Sequence, residues 1–402
     1  MAMWQLGFFF HEMGYGLLSI FLPLYIVSIE PDSGLFYVGI ISAIALFVAI
    51  PASFFWGYLC DKTHHYRRYI LLSFFASTIL LYVFTLTASV WLLVILYAVL
   101  AIVHVAHEAP KNVLIAELYS HEDWEKSFAF YEGFTEVGCL IGLLLGFVLT
   151  ILRVGSTNTL LVCSGLNLVA LVLSLLLVKD PALVFERGLV SIEKTLDFAS
   201  RGISLASKMI DGMSLDGRLK KENVGIFGAG LVLFSLATSI LFTPMPIFVS
   251  NVVNAASLPH GMVFAIFASS TSGAIAGYAF AGSRSRELAG KKHLSRVVLF
   301  RGFLTFLLIM TLQIAAYAVT FVTGILIVMG FAYAMFLVYT LSLSMELMPA
   351  GKSGLFNVLI GLGSAIGAFV GPFIAQTFGF LAVFVTALAI FVAAYVAFKI
   401  FR

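Results

Sequence analysis

Long apolar segments recur along the whole chain, separated by short polar connections. Each segment holds about 20 residues, enough for a helix to cross a hydrocarbon core of roughly 30 Å. The alternation of polar and apolar residues expected of a membrane barrel is absent, so helices are predicted. Twelve spans are predicted, at residues 4–29, 35–59, 69–88, 90–115, 128–152, 157–178, 224–250, 260–282, 296–316, 318–345, 354–378 and 380–400.

One long polar stretch divides these segments into two groups of six. The sequence therefore predicts an all-α membrane protein with a six-helix bundle at residues 1–180, a linker at 181–222 and a second bundle at 223–402. From Leu189 to Met213 of the linker, apolar residues recur every three or four positions. This spacing predicts an amphipathic helix on the cytoplasmic surface. A coiled-coil arm that binds a partner is the alternative.

The charges predict how the chain is oriented in the membrane. Charged residues make up 11% of the chain and apolar residues 61%. The basic residues concentrate in even-numbered connections, and Arg153 alone lies on the other side. By the positive-inside rule, both termini are expected in the cytoplasm and the protein in the cell membrane. The first segment has no basic residue before Trp4, so we interpret it as a retained helix. The net charge of +3 reflects this asymmetry and does not indicate nucleic-acid binding.

The two groups of segments share short sequence features. Residues 57–62 (Gly-Tyr-Leu-Cys-Asp-Lys) recur in weaker form at 277–282 (Gly-Tyr-Ala-Phe-Ala-Gly). Glycines also recur every four residues in the fifth and eleventh segments, at Gly138, Gly142, Gly146, Gly363, Gly367 and Gly371. Small residues at this spacing let helices approach closely. Parallel repeats of this kind are typical of one large class of membrane transporter.

The connection after the second segment resembles the signature loop of the major facilitator superfamily. Gly57 is followed after three residues by Asp61 and Lys62, and then by Arg67 and Arg68. The chain departs from the pattern at residues 63–66, which replace a short glycine-containing turn and predict a longer loop. The resemblance implies the major facilitator fold of twelve helices. It also implies a cytoplasmic gate, in which Asp61 pairs with the eleventh helix. Alternatively, the basic residues only set the topology.

The end of the fourth segment is similar to the drug–proton antiporter branch of that family. The similarity covers residues 109–118, with Lys111 at a position that is usually basic. The Gly-Pro pair of that branch is missing, because Cys139 follows Gly138. The resemblance implies a proton-coupled permease, with efflux favoured over uptake.

Several ionisable residues lie inside the predicted spans, where each one is costly and therefore a functional candidate. They are concentrated in the first half: His11, Glu12, His104, His107, Glu108, Lys111, Glu132 and Glu136. The four in the fourth segment follow helical spacing and share one face. At 1.5 Å per residue, the cluster lies about 10–15 Å from the cytoplasmic end.

By the family resemblance, the first and fourth helices line a central cavity. We therefore expect these residues to face that cavity and to couple proton movement to solute movement. Lys111 could hold Glu108 ionised or bind an anionic substrate. Alternatively, Lys111, Glu132 and Glu136 are structural ion pairs.

The second half offers uncharged polar and aromatic residues. Thr238 lies in the seventh segment, before Pro244 and Pro246, and Tyr333 and Tyr339 lie in the tenth. Such groups suit a neutral or amphipathic organic solute, although ordinary helix packing would also account for them.

Other classes of function are less well supported. No pattern of paired aspartates or of a nucleophile with its base indicates a membrane enzyme. A metal site at His104, His107 and Glu108 would need His11 or Glu12 from a second helix, so no metal or cofactor is expected. A metal-ion carrier, an organic-anion carrier and a non-transporting receptor stay as alternatives. The favoured function is secondary transport of a small organic solute by a monomer in the lipid bilayer.

Overall fold

The computed structural model describes residues 3–118, 124–180, 224–283, 291–313, 317–347 and 353–401, apart from some side chains, including that of Asp61. Within these ranges the chain is helical and contains no β-strand. The α-helices are α1 (Gln5–Ile29), α2 (Gly34–Thr63), α3 (Tyr66–Phe84), α4 (Val90–His104), α5 (Glu108–Leu118), α6 (Trp124–Ile151), α7 (Ser156–Leu177), α8 (Val224–Phe242), α9 (Met245–Ala255), α10 (Met262–Ser283), α11 (Lys291–Thr311), α12 (Ala318–Leu347) and α13 (Ser353–Phe401). The amphipathic helix predicted between 181 and 222 lies outside the described residues.

Eleven helical stretches of the described chain are long and apolar enough to cross a membrane. The last of them, Val358–Phe401, has 44 residues, and a straight helix of that length would measure about 66 Å, twice the hydrocarbon thickness. It is interrupted at Gly379, where φ is 80° and ψ is 174°. Only glycine adopts this conformation without strain. The interruption lies between the two segments predicted at 354–378 and 380–400.

The two parts of α13 run in opposite directions along α8. Before Gly379, Gly363 packs on the backbone of Val232 and Gly371 packs on that of Ile240. After Gly379 the order is reversed, because Phe391 contacts Phe234 and the later Phe398 contacts Phe227. The chain therefore turns back at Gly379.

Two other predicted spans are broken within the bundle. The segment predicted at 224–250 bends between α8 and α9, where Pro244 precedes Met245, as its proline pair predicts. The segment predicted at 90–115 is divided by a 3₁₀ turn, Val105–His107. This second break was not predicted, although Pro110 lies four residues after Ala106 and cannot donate the helical hydrogen bond to its carbonyl.

Matching glycines hold matching helices together in the two halves. A Cβ on Gly138 would lie 2.5 Å from the carbonyl oxygen of Phe9, and one on Gly142 would overlap that of Met13. In the second half, Gly363 and Gly371 bring α13 equally close to α8. Helix α6 therefore packs on α1 as the first part of α13 packs on α8.

The two halves meet along two helix pairs, α2 with α13 and α6 with α10. We call the end of the bundle where α1 begins the near end, and the end at Ile29 the far end. At the far end, the amide of Gln376 donates a hydrogen bond to the carbonyl oxygen of Asp32 over 2.7 Å. A Cβ on Gly39 would lie 3.3 Å from Cβ of Pro372. The far ends of the halves are thus in direct contact.

The connection between α2 and α3 consists only of His64 and His65. The expectation of a longer loop is wrong, because α2 continues to Thr63 and its cap, His64, adopts φ 55°. This left-handed conformation is the one that glycine usually supplies at a helix end.

Candidate functional site

The predicted cluster in the first half forms where α1, the α4–α5 junction and α6 approach one another. His11 and Glu12 lie on α1, and Glu132 and Glu136 lie on α6. The 3₁₀ turn places His104 at the end of α4 and Glu108 at the start of α5. His104, His107, Glu108 and Lys111 remain close together, although the helix between them is not continuous.

Three histidines form the inner part of this cluster. Nδ1 of His11 lies 2.6 Å from Oδ1 of Asn167, and Nε2 of His11 lies 3.0 Å from Nδ1 of His104. Nδ1 of His107 lies 3.2 Å from the hydroxyl of Ser73. His11 and His107 are fully buried, whereas His104 is half-buried.

The outer part of the cluster is a chain of polar and charged contacts. Nε2 of His107 lies 3.3 Å from Oε1 of Glu108, whose other oxygen lies 2.6 Å from Nζ of Lys111. The same ammonium lies 3.7 Å from Oε1 of Glu132 and 5.4 Å from the centre of the Tyr131 ring. Lys111 is buried, but the side chains of Glu108 and Glu132 are 41% and 38% exposed. Buried and accessible charges are therefore connected through one side chain.

Two predicted members of the cluster are not joined to this chain of contacts. Glu12 and Glu136 are half-buried, and neither makes a hydrogen bond or ion pair with another described residue. They lie beside the network, one residue from His11 and one helical turn from Glu132.

Asn167 and Ser73 were missed by the sequence analysis. Asn167 donates a hydrogen bond to the carbonyl oxygen of Cys163, and Ser73 donates one to that of His104. Both side chains are fully buried. A single asparagine or serine in an apolar segment is common, so no pattern in the sequence distinguishes these two.

The polar groups of the second half centre on Arg301, a residue that was not assigned to the predicted site. Its side chain is fully buried, and its guanidinium lies 5.2–5.6 Å from the ring centres of four aromatic residues. These residues are Phe234, Phe242, Tyr333 and Phe391. Its nitrogens have no hydrogen-bond partner among the described residues. The signal was present, because Arg301 is a charge inside a predicted span and away from its ends.

The three predicted residues of the second half have different surroundings. Tyr333 is one of the rings around Arg301. Thr238 lies on α8 midway between Phe234 and Phe242, and its buried hydroxyl has no partner among the described residues. Tyr339 is instead near His293, with ring centres 6.1 Å apart. Thr238 and Tyr333 therefore belong with Arg301, and Tyr339 does not.

The predicted gate residues do not form one contact cluster. The Arg67 guanidinium donates a hydrogen bond to the carbonyl oxygen of Leu175 over 2.6 Å, which ties α3 to α7 within the first half. Lys62 lies 5.8 Å from the Tyr58 ring centre, and Arg68 is exposed. A Cβ on Gly57 would meet open space. The Asp61 side chain lies outside the described part of the structure, so its pairing with the eleventh helix in a cytoplasmic gate stays a prediction.

A family model for the Major Facilitator Superfamily matches residues 6–360, most of the chain. The chain belongs to the major facilitator superfamily. This membership makes it a multi-pass membrane transporter and not an enzyme. No curated protein sequence matches it.

Solved structures of other transporters share this superfamily fold. A variant of the nucleoside transporter NupG superposes with a TM-score of 0.73 at 14% identity, covering 99% of this chain and 98% of that one. The human organic anion transporter MFSD10 gives 0.69 at 15% identity, with 98% of each chain covered. The peptide transporter POT gives 0.70 at 12% identity, with 99% and 92% covered. At these identities the likeness concerns the fold alone.

Proposed function

We propose that this chain is a proton-coupled secondary transporter of a small organic solute, and that it works by alternating access. The observation that carries the proposal is the Glu108–Lys111–Glu132 network. It combines a buried ammonium with two carboxylates that are 41% and 38% exposed. Because carboxylates exposed to lipid would be costly, these two are best accounted for by a water-accessible cavity.

Proton coupling follows from competition for Lys111. The ammonium stabilises an ionised Glu108 at 2.6 Å and has a second acceptor in Glu132 at 3.7 Å. A proton or a solute that takes one carboxylate leaves Lys111 the other, so the buried charge is never unpaired. His11, His104, His107, Glu12 and Glu136 surround this exchange.

The test is solute-induced charge movement in proteoliposomes on a solid-supported membrane, with solute panels at two pH values. We expect Glu108→Gln to abolish the pH-dependent current, because the amide cannot ionise. Glu30→Gln is the matched control, since Glu30 is exposed at the end of α1, and it should behave as wild type.

Folding must be separated from function in this test. Because Lys111 keeps Glu132 in the variant, we expect elution and unfolding temperature close to those of wild type. Normal pH-dependent current in folded Glu108→Gln would overturn the assignment of proton coupling to Glu108.

We propose the architecture predicted from the sequence. The protein then has twelve spans in two bundles, at 1–180 and 223–402, joined by the linker 181–222. The charge asymmetry supports a cytoplasmic near end with both termini, and we propose the plasma membrane as the location. The similarity around Lys111 to the antiporter branch supports efflux over uptake. We further propose that a monomer is sufficient, because each half of a superfamily member contributes to one central site.

The second candidate is an organic-anion carrier, and Arg301 is the observation that favours it. A buried guanidinium without a hydrogen-bond partner among the described residues has unused capacity to bind a carboxylate or phosphate. The partnerless hydroxyl of Thr238 on the facing stretch of α8 offers a further donor. MFSD10 transports organic anions by its name, which shows that this fold accommodates such solutes.

A further inference from the structure

The three histidines of the first half have the arrangement of a metal site. One ring nitrogen each of His11, His104 and His107 lies within 4.8 Å of the others. Tetrahedral coordination with metal–nitrogen bonds of roughly 2.0–2.1 Å sets neighbouring ligand atoms about 3.3 Å apart. Nε2 of His11 and Nδ1 of His104, at 3.0 Å, are already close to this spacing. Small side-chain movements would bring all three rings onto one ion.

The hydrogen bonds behind two of the rings orient them as metal ligands. The Asn167 amide donates to the carbonyl oxygen of Cys163, which turns its own oxygen towards Nδ1 of His11. Ser73 donates to the carbonyl oxygen of His104, which leaves its lone pairs for Nδ1–H of His107. In both histidines Nδ1 is then the donor and Nε2 carries the lone pair that would bind a metal; it faces His104 in His11 and Glu108 in His107. Outer hydrogen bonds of this kind fix the ring orientation of metal-binding histidines.

The surroundings favour a particular class of metal. Imidazole nitrogens suit zinc and the later first-row transition metals, whereas calcium and magnesium take oxygen ligands. Phe74 and Tyr15 pack against the histidines, with ring centres 4.3 Å from His11 and 4.2 Å from His104. Oε1 of Glu108, 3.3 Å from Nε2 of His107, is a candidate for a fourth ligand.

We propose that His11, His104 and His107 bind one divalent transition-metal ion of the zinc class. All three ligands belong to the first half, whereas transported solutes bind between the halves of such proteins. The site therefore stays intact while the halves move, so the ion is resident and not cargo. It ties α1 to the α4–α5 junction across the break at the 3₁₀ turn.

The test is direct metal binding by the full-length protein in detergent. After stripping with a chelator, Zn²⁺ is added, and bound metal is counted by mass spectrometry and titrated by calorimetry. We expect one tight site per chain and a Zn²⁺-dependent rise in unfolding temperature. His107→Gln should remove both effects, whereas His293→Gln, which changes a histidine of the second half, should keep them.

A second variant covers the possibility that His107→Gln fails to fold. Asn167→Leu leaves all three ligands in place and removes the bond that orients His11, together with the amide's own bond to the Cys163 carbonyl. The affinity for Zn²⁺ should therefore fall by about 10- to 100-fold. The proposal is overturned if the wild-type protein binds no more Zn²⁺ than His107→Gln does. It is also overturned if Asn167→Leu binds Zn²⁺ with the affinity of the wild type. The metal site does not depend on the transport proposal, because Zn²⁺ binding is measured without solute or proton gradient.

Discussion

Arg301 is a cation without a hydrogen-bond partner among the described residues, enclosed by four aromatic rings. Removing a guanidinium from water costs several kcal/mol, and each ring returns about 0.5–2 kcal/mol. The four rings therefore offset part of the cost of burying the Arg301 guanidinium. A bound anion would pair with the guanidinium and stabilise the folded protein. Stabilisation by anions therefore distinguishes a binding role of Arg301 from a packing role.

We expect Arg301→Met to unfold within a few degrees of wild type but to lose stabilisation by anionic solutes. Methionine is shorter but unbranched and apolar, and its sulfur packs favourably on aromatic rings, so it removes the charge while it fills part of the space. Thermal unfolding with anionic and neutral solutes at equal ionic strength measures this difference. Arg301→Lys, which keeps the charge, is the control. A large loss of stability with an unchanged anion response would show that Arg301 only packs.

For single residues, the sequence was informative where a side chain is energetically costly to place in a membrane-spanning helix. Charges in apolar segments stand out, so His11, His104 and Glu108 could be found in the sequence, and the family resemblance brought the first and fourth helices together. Asn167 could not be found, because its role depends on which helix faces α7. Arg301 was visible as a charge, but its ring of aromatics comes from three other helices and has no local pattern.

At the scale of helices, the glycines of α6 determine how closely it approaches α1. We expect Gly142→Ala to lower the free energy of unfolding by about 1–3 kcal/mol, because the new methyl group overlaps the carbonyl of Met13. Gly165→Ala is the matched control, since a Cβ there meets open space within helix α7. That change should leave the protein as stable or more stable. Equal unfolding temperatures of the two variants would contradict this account of the α1–α6 contact.

The helix breaks show which local features are encoded in the sequence. The bend before α9 and the reversal at Gly379 were predictable, because proline and glycine act on their own backbone. The 3₁₀ turn at 105–107 has a local cause of the same kind, because Pro110 lacks the N–H that would bond to the carbonyl of Ala106 and its ring crowds that carbonyl. It lies where His104, His107 and Ser73 make their contacts, so tertiary hydrogen bonds add to this local effect. A mid-helix 3₁₀ turn often marks a functional hinge.

At the scale of the whole molecule, the proposed alternating access requires the contact between the far ends of the two halves to open. Gly39 on α2 and Pro372 on α13 are suited to test this, because a Cβ on Gly39 would lie 3.3 Å from that of Pro372. Disulfides need a Cβ–Cβ distance of roughly 3.5–4.5 Å, so a slight separation of the two helices suffices. Cysteines at both positions should therefore crosslink readily, in a background that lacks Cys60, Cys139 and Cys163.

We expect the crosslinked Gly39→Cys, Pro372→Cys protein to lose the solute-induced current and to recover it on reduction. The bond holds the far ends together, so a solute site between the halves cannot open to that side. Each single-cysteine variant controls for the substitution itself, including the loss of Pro372 from its helix. Full current from completely crosslinked protein would mean that transport proceeds without separation of α2 from α13. The two halves would then not rock about this contact.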